Sequence, residues 1–196
     1  MIGVLAIQGD FAAHTAALRR VGANCVEVRT RDDLSAVDGL IIPGGESTTL
    51  LKFTEQDGLG QAIADFAHQG KPILGTCAGA ILLANTVYNP VQPSLGLIDI
   101  TVERNGYGRQ VDSFIDKLDS TLEGGPLEGV FIRAPRITRV GPNVKVIASL
   151  SGEPVFVQED NVLAATFHPE LTDDTRVHRF VCELTERASS TAPAAI

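Results

Sequence analysis

An α/β fold built on a mostly parallel, doubly wound sheet is predicted by three features of this sequence. Near-continuous apolar runs, "IGVLAI", "GLII" and "KPIL", each break off within two residues of a glycine. Strands buried on both faces of a parallel sheet read this way. Segments of helical period lie between these runs through about residue 85, the rhythm of βαβ crossovers. The composition agrees: 19 glycines, 8 Phe, 2 Tyr and no Trp among 196 residues suit many tight turns around aliphatic strands.

The elements follow in order. "IGVLAI" is the first strand. "DFAAHTAALRRVG" follows at helical period and stops at Gly22, a C-cap residue. "CVEV" is the second strand, and "GLIIPGG" the third, halted by Pro43-Gly44-Gly45. Glu46 and Ser47 open a helix. Residues 57–69 form another, and "KPILG" is the fourth strand. "YNPVQPSLG" (88–96) is a loop. From about 97 to 165 the chain reads as strands, "LIDITVERN", "RQVDSFIDKL", "GVFIRAPRITRV", "VKVIASL", "EPVFVQED" and "NVLAATF". These are antiparallel hairpins that complete or extend the sheet. A last helix spans roughly 173–187. One domain covers 1–187, and the small, polar tail 188–196 is expected to fray.

Composition excludes several roles. Hydrophobic residues make up 44%, enough for a packed core. No apolar run approaches the roughly 20 residues of a membrane span. The N-terminus reads as a strand and not as a signal peptide. A net charge of −8 argues against nonspecific binding to nucleic acid or anionic membrane. Cys25, Cys77 and Cys182 are odd in number and widely spaced, without metal-site spacing, which suits a reducing, cytoplasmic setting.

Three stretches carry chemistry. In "GTCAGA", Cys77 sits between Gly75 and Gly79 where a strand turns into a helix. That is the mechanical logic of a nucleophile elbow. A buried structural cysteine would look the same locally. In "FHPEL", His168 and Glu170 stand two apart after a strand, so an extended chain would set carboxylate and imidazole on one face. A surface loop with an incidental histidine is the plainer reading. His14, His68 and His178 fall in helices and carry only that plainer reading. In "IIPGGESTTL", Gly44-Gly45 permits backbone able to aim N–H groups at an oxyanion, and a capping turn is the alternative. Thiol, base with orienter, and oxyanion donors are the parts a cysteine hydrolase needs.

In this order the motifs resemble the triad-type (class I) glutamine amidotransferases. That resemblance implies a flavodoxin-like three-layer α/β/α sandwich and hydrolysis of glutamine through a thioester. "GVLAIQGD", "PGGESTTL", "GTCAGAILLA", "ERNGYGRQVDSF" and "VFIRAPRI" resemble, within that class, the glutaminase subunits of pyridoxal 5′-phosphate synthase. The resemblance implies Cys77 as nucleophile, His168 as base and acid, and Glu170 as orienter. It implies Gly45, Glu46, Ser47, Arg104, Ile132 and Arg133 around L-glutamine, with the N–H groups of Gly45 and Ala78 as the oxyanion hole. Gln8, at the end of the first strand, is a partner-facing or gating residue. No metal and no cofactor is implied. The implied partner is a synthase subunit within a large hetero-oligomer, to which ammonia is passed for vitamin B6 synthesis. Two readings from other classes remain open on the residues: a non-enzymatic cysteine sensor or chaperone, and a stand-alone cysteine peptidase on the same fold.

Overall fold

The computed structural model describes residues 1–106 and 113–191. Strand and helix alternate through the first half: β1 (Ile2–Leu5), α1 (Phe11–Arg20), β2 (Cys25–Val28), α2 (Arg31–Ser35), β3 (Gly39–Ile42), α3 (Ser47–Glu55), α4 (Leu59–His68), β4 (Ile73–Thr76) and α5 (Ala78–Leu83). The short α2 shows no periodicity in the sequence. A capping box makes it: Thr30 accepts from the Asp33 N–H while the Asp33 carboxylate accepts from the Thr30 N–H.

Strands dominate the second half: β5 (Ala84–Tyr88), β6 (Ile98–Glu103), β7 (Ser113–Ser120), β8 (Leu127–Ile132), β9 (Arg136–Val140), β10 (Lys145–Leu150), β11 (Glu153–Glu159) and β12 (Val162–Ala165). A 3-10 turn at Pro169–Leu171 leads to α6 (Arg176–Thr191), which runs past the expected end at 187. Residues 192–196 of the tail, and 107–112 of the "ERNGYGRQVDSF" stretch, lie outside the described residues.

Among the described residues, nine strands form one sheet in the order β2-β1-β3-β4-β12-β11-β10-β7-β8. Its first five strands are parallel neighbours. The remaining pairings are antiparallel, as the hairpin reading expects. A second sheet, β5-β6-β9, stands apart. The composition of "GVFIRAPRITRV" predicts one strand. The chain instead breaks at Arg133, whose φ of +44° no strand residue adopts, and Pro135 follows. β8 then joins the large sheet and β9 the small one.

Side-chain alternation builds the layers. Leu5, Leu40, Ile42, Ile73 and Val162 face one core with Leu50 of α3, Ile63 of α4 and Leu82 of α5. Ile2, Val4, Ile41, Leu74 and Leu163 face the other, with Leu18 of α1 and Val177 and Val181 of α6. The sheet is thus sandwiched between helices, the expected α/β/α arrangement. No helix among the described residues is long and apolar enough to cross a membrane.

Candidate active site

Three adjacent parallel strands, β3, β4 and β12, end side by side, and each is followed by one of the three chemical motifs. Crevices beyond the carboxyl ends of such strands are where ligands bind in open α/β sheets. Topology therefore brings together segments that lie up to 126 residues apart in sequence, Gly44 and Glu170 being the outermost.

Cys77 follows β4 directly. Its N–H donates to the Ala165 carbonyl of β12 at 2.8 Å, and its backbone sits at φ +47°, ψ −103°. That places the side chain above the sheet at the head of α5. The small neighbours have a packing reason. A Cβ on Gly75 would lie 2.5 Å from the Gly79 backbone, and one on Gly79 would collide with the Ile42 carbonyl. Backbone meets backbone here, so α5 seats directly on β3 and β4.

His168 is anchored by its N–H, which donates to the Val130 carbonyl of β8 at 2.8 Å. Its Nδ1 lies 2.7 Å from Glu170 Oε1, leaving Nε2 for the thiol. The extended His-Pro-Glu geometry read from the sequence is not what joins them. Pro169 instead starts a 3-10 turn, which folds Glu170 back beneath the imidazole. Burial alone would lower the His168 pKa. Hydrogen bonds to Cys77 and Glu170, with their charges, overcome that and raise it to about 10. The imidazole is therefore held as a cation between a sulfur and a buried carboxylate.

Gly44 and Gly45 close the site from β3. Gly44 lies against the base: a Cβ there would stand 2.5 Å from His168 Cε1 and 3.2 Å from Cys77 Cβ. Its N–H donates to Thr76 Oγ1 at 3.1 Å. Gly45, at φ +143°, faces the Gln8 amide, and Gln8 Oε1 accepts from the Glu46 N–H at 2.9 Å. Gln8 thus holds the turn from below. The Glu46 carboxylate caps α3, accepting from the Thr48 and Thr49 N–H groups at 3.0 and 2.6 Å. Partial burial would raise its pKa, but these bonds bring it down to about 2. The capping reading of "PGGES" is therefore realised alongside the glycine turn.

The remaining expected residues arrive on the outer strands. Arg104, just past β6, donates to Thr48 Oγ1 at 3.3 Å and lies 3.8 Å from Glu46 Oε1, so the small sheet delivers a cation to the rim of this turn. Ser47 is buried and donates to Gln92 Oε1 at 3.2 Å. Ile132 ends β8 and Arg133 follows it, two and three residues past the carbonyl that anchors His168, with the Arg133 side chain exposed. Ala78 begins α5, where a first-turn N–H has no partner within the helix.

Two histidines set aside as incidental are not so. His14 of α1 and His178 of α6 are fully buried behind the carboxylate. His14 Nε2 lies 3.2 Å from Glu170 Oε2 and 3.1 Å from Thr76 Oγ1, and its Nδ1 lies 3.0 Å from His178 Nε2. Their spacing of 164 residues gave no local signal. The one usable hint was that both fall on apolar helix faces. Among the described residues no cluster of three metal-ligating side chains occurs.

A buried thiol beside an imidazole–carboxylate pair, on a doubly wound sheet with a glycine turn over it, is the construction of a cysteine-dependent amide hydrolase. Comparison with known proteins narrows this. The model described as the SNO glutamine amidotransferase family matches residues 4–187, and the chain belongs to that family. It is 54% identical over 183 residues to the pyridoxal 5′-phosphate synthase subunit PdxT of Solibacter usitatus, covering 90% of this chain and 95% of the relative. It is 51% identical over 183 residues to the subunit of the same name from Deinococcus radiodurans, covering 91% and 93%. A solved structure described as a glutamine amidotransferase superposes with a TM-score of 0.89 at 46% identity, covering 94% of this chain and 98% of that one.

Proposed function

We propose that this chain is a glutaminase that hydrolyses L-glutamine to glutamate and ammonia and passes the ammonia to a pyridoxal 5′-phosphate synthase subunit. The observation that carries the chemistry is the line from Cys77 through His168 to Glu170 beneath the Gly44-Gly45 turn. The names of the relatives support the partner. The reading takes residues 1–187 as one amidotransferase domain, acting in the cytoplasm within a hetero-oligomer.

On this reading the steps are these. The Cys77 sulfur attacks the side-chain amide carbon of glutamine. The N–H groups of Gly45 and Ala78 stabilise the oxyanion that forms. Protonated His168 donates to the departing nitrogen, so ammonia leaves and a thioester remains. Now neutral, His168 takes a proton from water, whose oxygen attacks the thioester. Collapse releases glutamate and returns the sulfur and the imidazolium. Glu170 keeps Nδ1 protonated and the ring aimed throughout. Gly45, Glu46, Ser47, Arg104, Ile132 and Arg133 line the amino-acid end of the substrate. Arginine suits its α-carboxylate, and Gln8, packed against the Gly45 turn, is its gating residue.

Glutamate release from glutamine, measured with and without a pyridoxal 5′-phosphate synthase subunit, tests the reading. Wild type with the partner should turn over, and Cys77→Ala should not, since the covalent route is gone. Sustained glutamate production by Cys77→Ala would refute the nucleophile.

A further inference from the structure

Glu170 is a carboxylate with its side chain wholly out of solvent, and only Oε1 is spent on His168. Oε2 has no full hydrogen bond and faces His14 Nε2 at 3.2 Å. An anion left so would be costly. We propose that His14 is a positioning residue of this site, sharing an Nε2 proton between Glu170 Oε2 and Thr76 Oγ1, and that His178 fixes the tautomer that makes this possible. The proposal deepens the glutaminase reading and rests on it for its kinetic consequences.

The protons can be assigned by elimination. Burial, with His178 and His168 nearby, holds His14 well below its ordinary pKa, so its ring carries one proton. Suppose that proton sat on Nδ1. It would donate to His178 Nε2 and force the His178 proton onto Nδ1, which is buried without a partner. A lone pair on His14 Nε2 would then face the buried carboxylate. With the proton on Nε2, both faults vanish. His178 Nε2–H donates to His14 Nδ1, and His14 Nε2–H points between the Thr76 hydroxyl and Glu170. What remains is a bare acceptor at His178 Nδ1 and a Thr76 hydroxyl proton whose oxygen already receives Gly44 and His14, a smaller cost than a buried anion facing a lone pair.

Two parts of the site then share one support. Glu170 orients His168, and Thr76 Oγ1 accepts the N–H of Gly44 in the glycine turn. His14 touches both and reaches neither the thiol nor the substrate side, so it acts through them.

The test uses the chain in complex with a pyridoxal 5′-phosphate synthase subunit. His14→Phe should lower kcat by about ten- to a hundredfold, the worth of a hydrogen bond to a charged group, with KM little changed. His14→Gln, whose amide can place a donor near the Nε2 position, should recover most of the loss. His14→Asn, whose amide stops near Nδ1, should not. This second pair decides the matter should the Phe variant fail to fold. Because the effect passes mainly through the carboxylate, His14→Phe should cost far less on a Glu170→Gln background than on the wild type. Full activity in His14→Phe, equal losses in the Gln and Asn variants, or multiplicative losses in the double variant would each overturn the proposal. NMR of the imidazole nitrogens reads the tautomer without turnover. Protonated Nε2 and bare Nδ1 on His14 are expected, and the reverse refutes the assignment whether or not the chain hydrolyses glutamine.

Discussion

Cys77 is held in a backbone conformation that a side chain disfavours, with φ +47° and ψ −103°. Such a residue costs on the order of 1–3 kcal/mol, and the surrounding structure must impose it. Here the imposing contacts are the Cys77 N–H on Ala165 and the Ile81 N–H on the Cys77 carbonyl. The strain lifts the thiol out of the sheet toward His168. Removing the thiol while keeping a Cβ leaves the strain, and removing the Cβ relieves it. Cys77→Gly should therefore unfold at higher denaturant than Cys77→Ala, by about 1–2 kcal/mol, with both variants inactive. Chemical denaturation of the pair checks this. A Gly variant no more stable than the Ala variant would mean that the elbow is relaxed.

At the scale of elements, the site depends on how closely β3, β4 and α5 approach one another, and two glycines separate stability from catalysis. At Gly79 an added Cβ meets the Ile42 backbone, which cannot yield without moving α5 off the sheet. Gly79→Ala should lose about 1–3 kcal/mol of stability together with activity. At Gly44 the obstacle is the His168 ring at 2.5 Å, a side chain that can rotate away. Gly44→Ala should lose less stability than Gly79→Ala and most glutamate production. An active Gly44→Ala would contradict the packing of base against turn. The parallel half of the fold was legible because β1, β3 and β4 each announce themselves as an apolar run ended near glycine. The elements missed were those with no period to read: five-residue α2, and β5, which leaves α5 without a loop. The break at Arg133 was hidden because "GVFIRAPRITRV" keeps strand-like composition across it. The candidate group Cys77, His168 and Glu170 was legible because Cys77 directly follows β4 and the other two follow β12. His14, His178, Thr76 and Gln92 were not, because their roles exist only once α1, α6 and the β5–β6 loop pack around the strand ends.

For the molecule as a whole, the buried histidines make folding respond to acid well before the carboxylates do. His178 is lowered to about 4, by burial first and by the Arg20 charge second. His14 is held well below its ordinary value of 6.5, again mainly by burial. Both are neutral when folded and free to protonate when unfolded. Where the unfolded chain binds more protons, stability rises with pH, by up to about 1.4 kcal/mol per unit for each proton. The two histidines are thus fully favourable to folding above pH 6.5 and lose that standing as pH falls below it. For His178 the loss ends near pH 4, where the folded ring protonates too. His168 contributes no slope there. Its pKa is raised to about 10, so its contribution is fully present below 6.5 and is lost only as pH rises toward 10. Glu46, lowered to about 2, and Asp33, Asp99 and Asp174, also lowered, act below about pH 4. The interval from pH 6.5 to 5 therefore isolates the pair. Unfolding free energy from urea titrations should fall across it by about 1.5 kcal/mol for His178, with a further fall from His14. His178→Gln should reduce that fall whatever its absolute stability, because the slope counts protons and not contacts. A wild-type stability flat across the interval, or a His178→Gln slope equal to wild type, would show that these rings are charged or exposed in the folded chain.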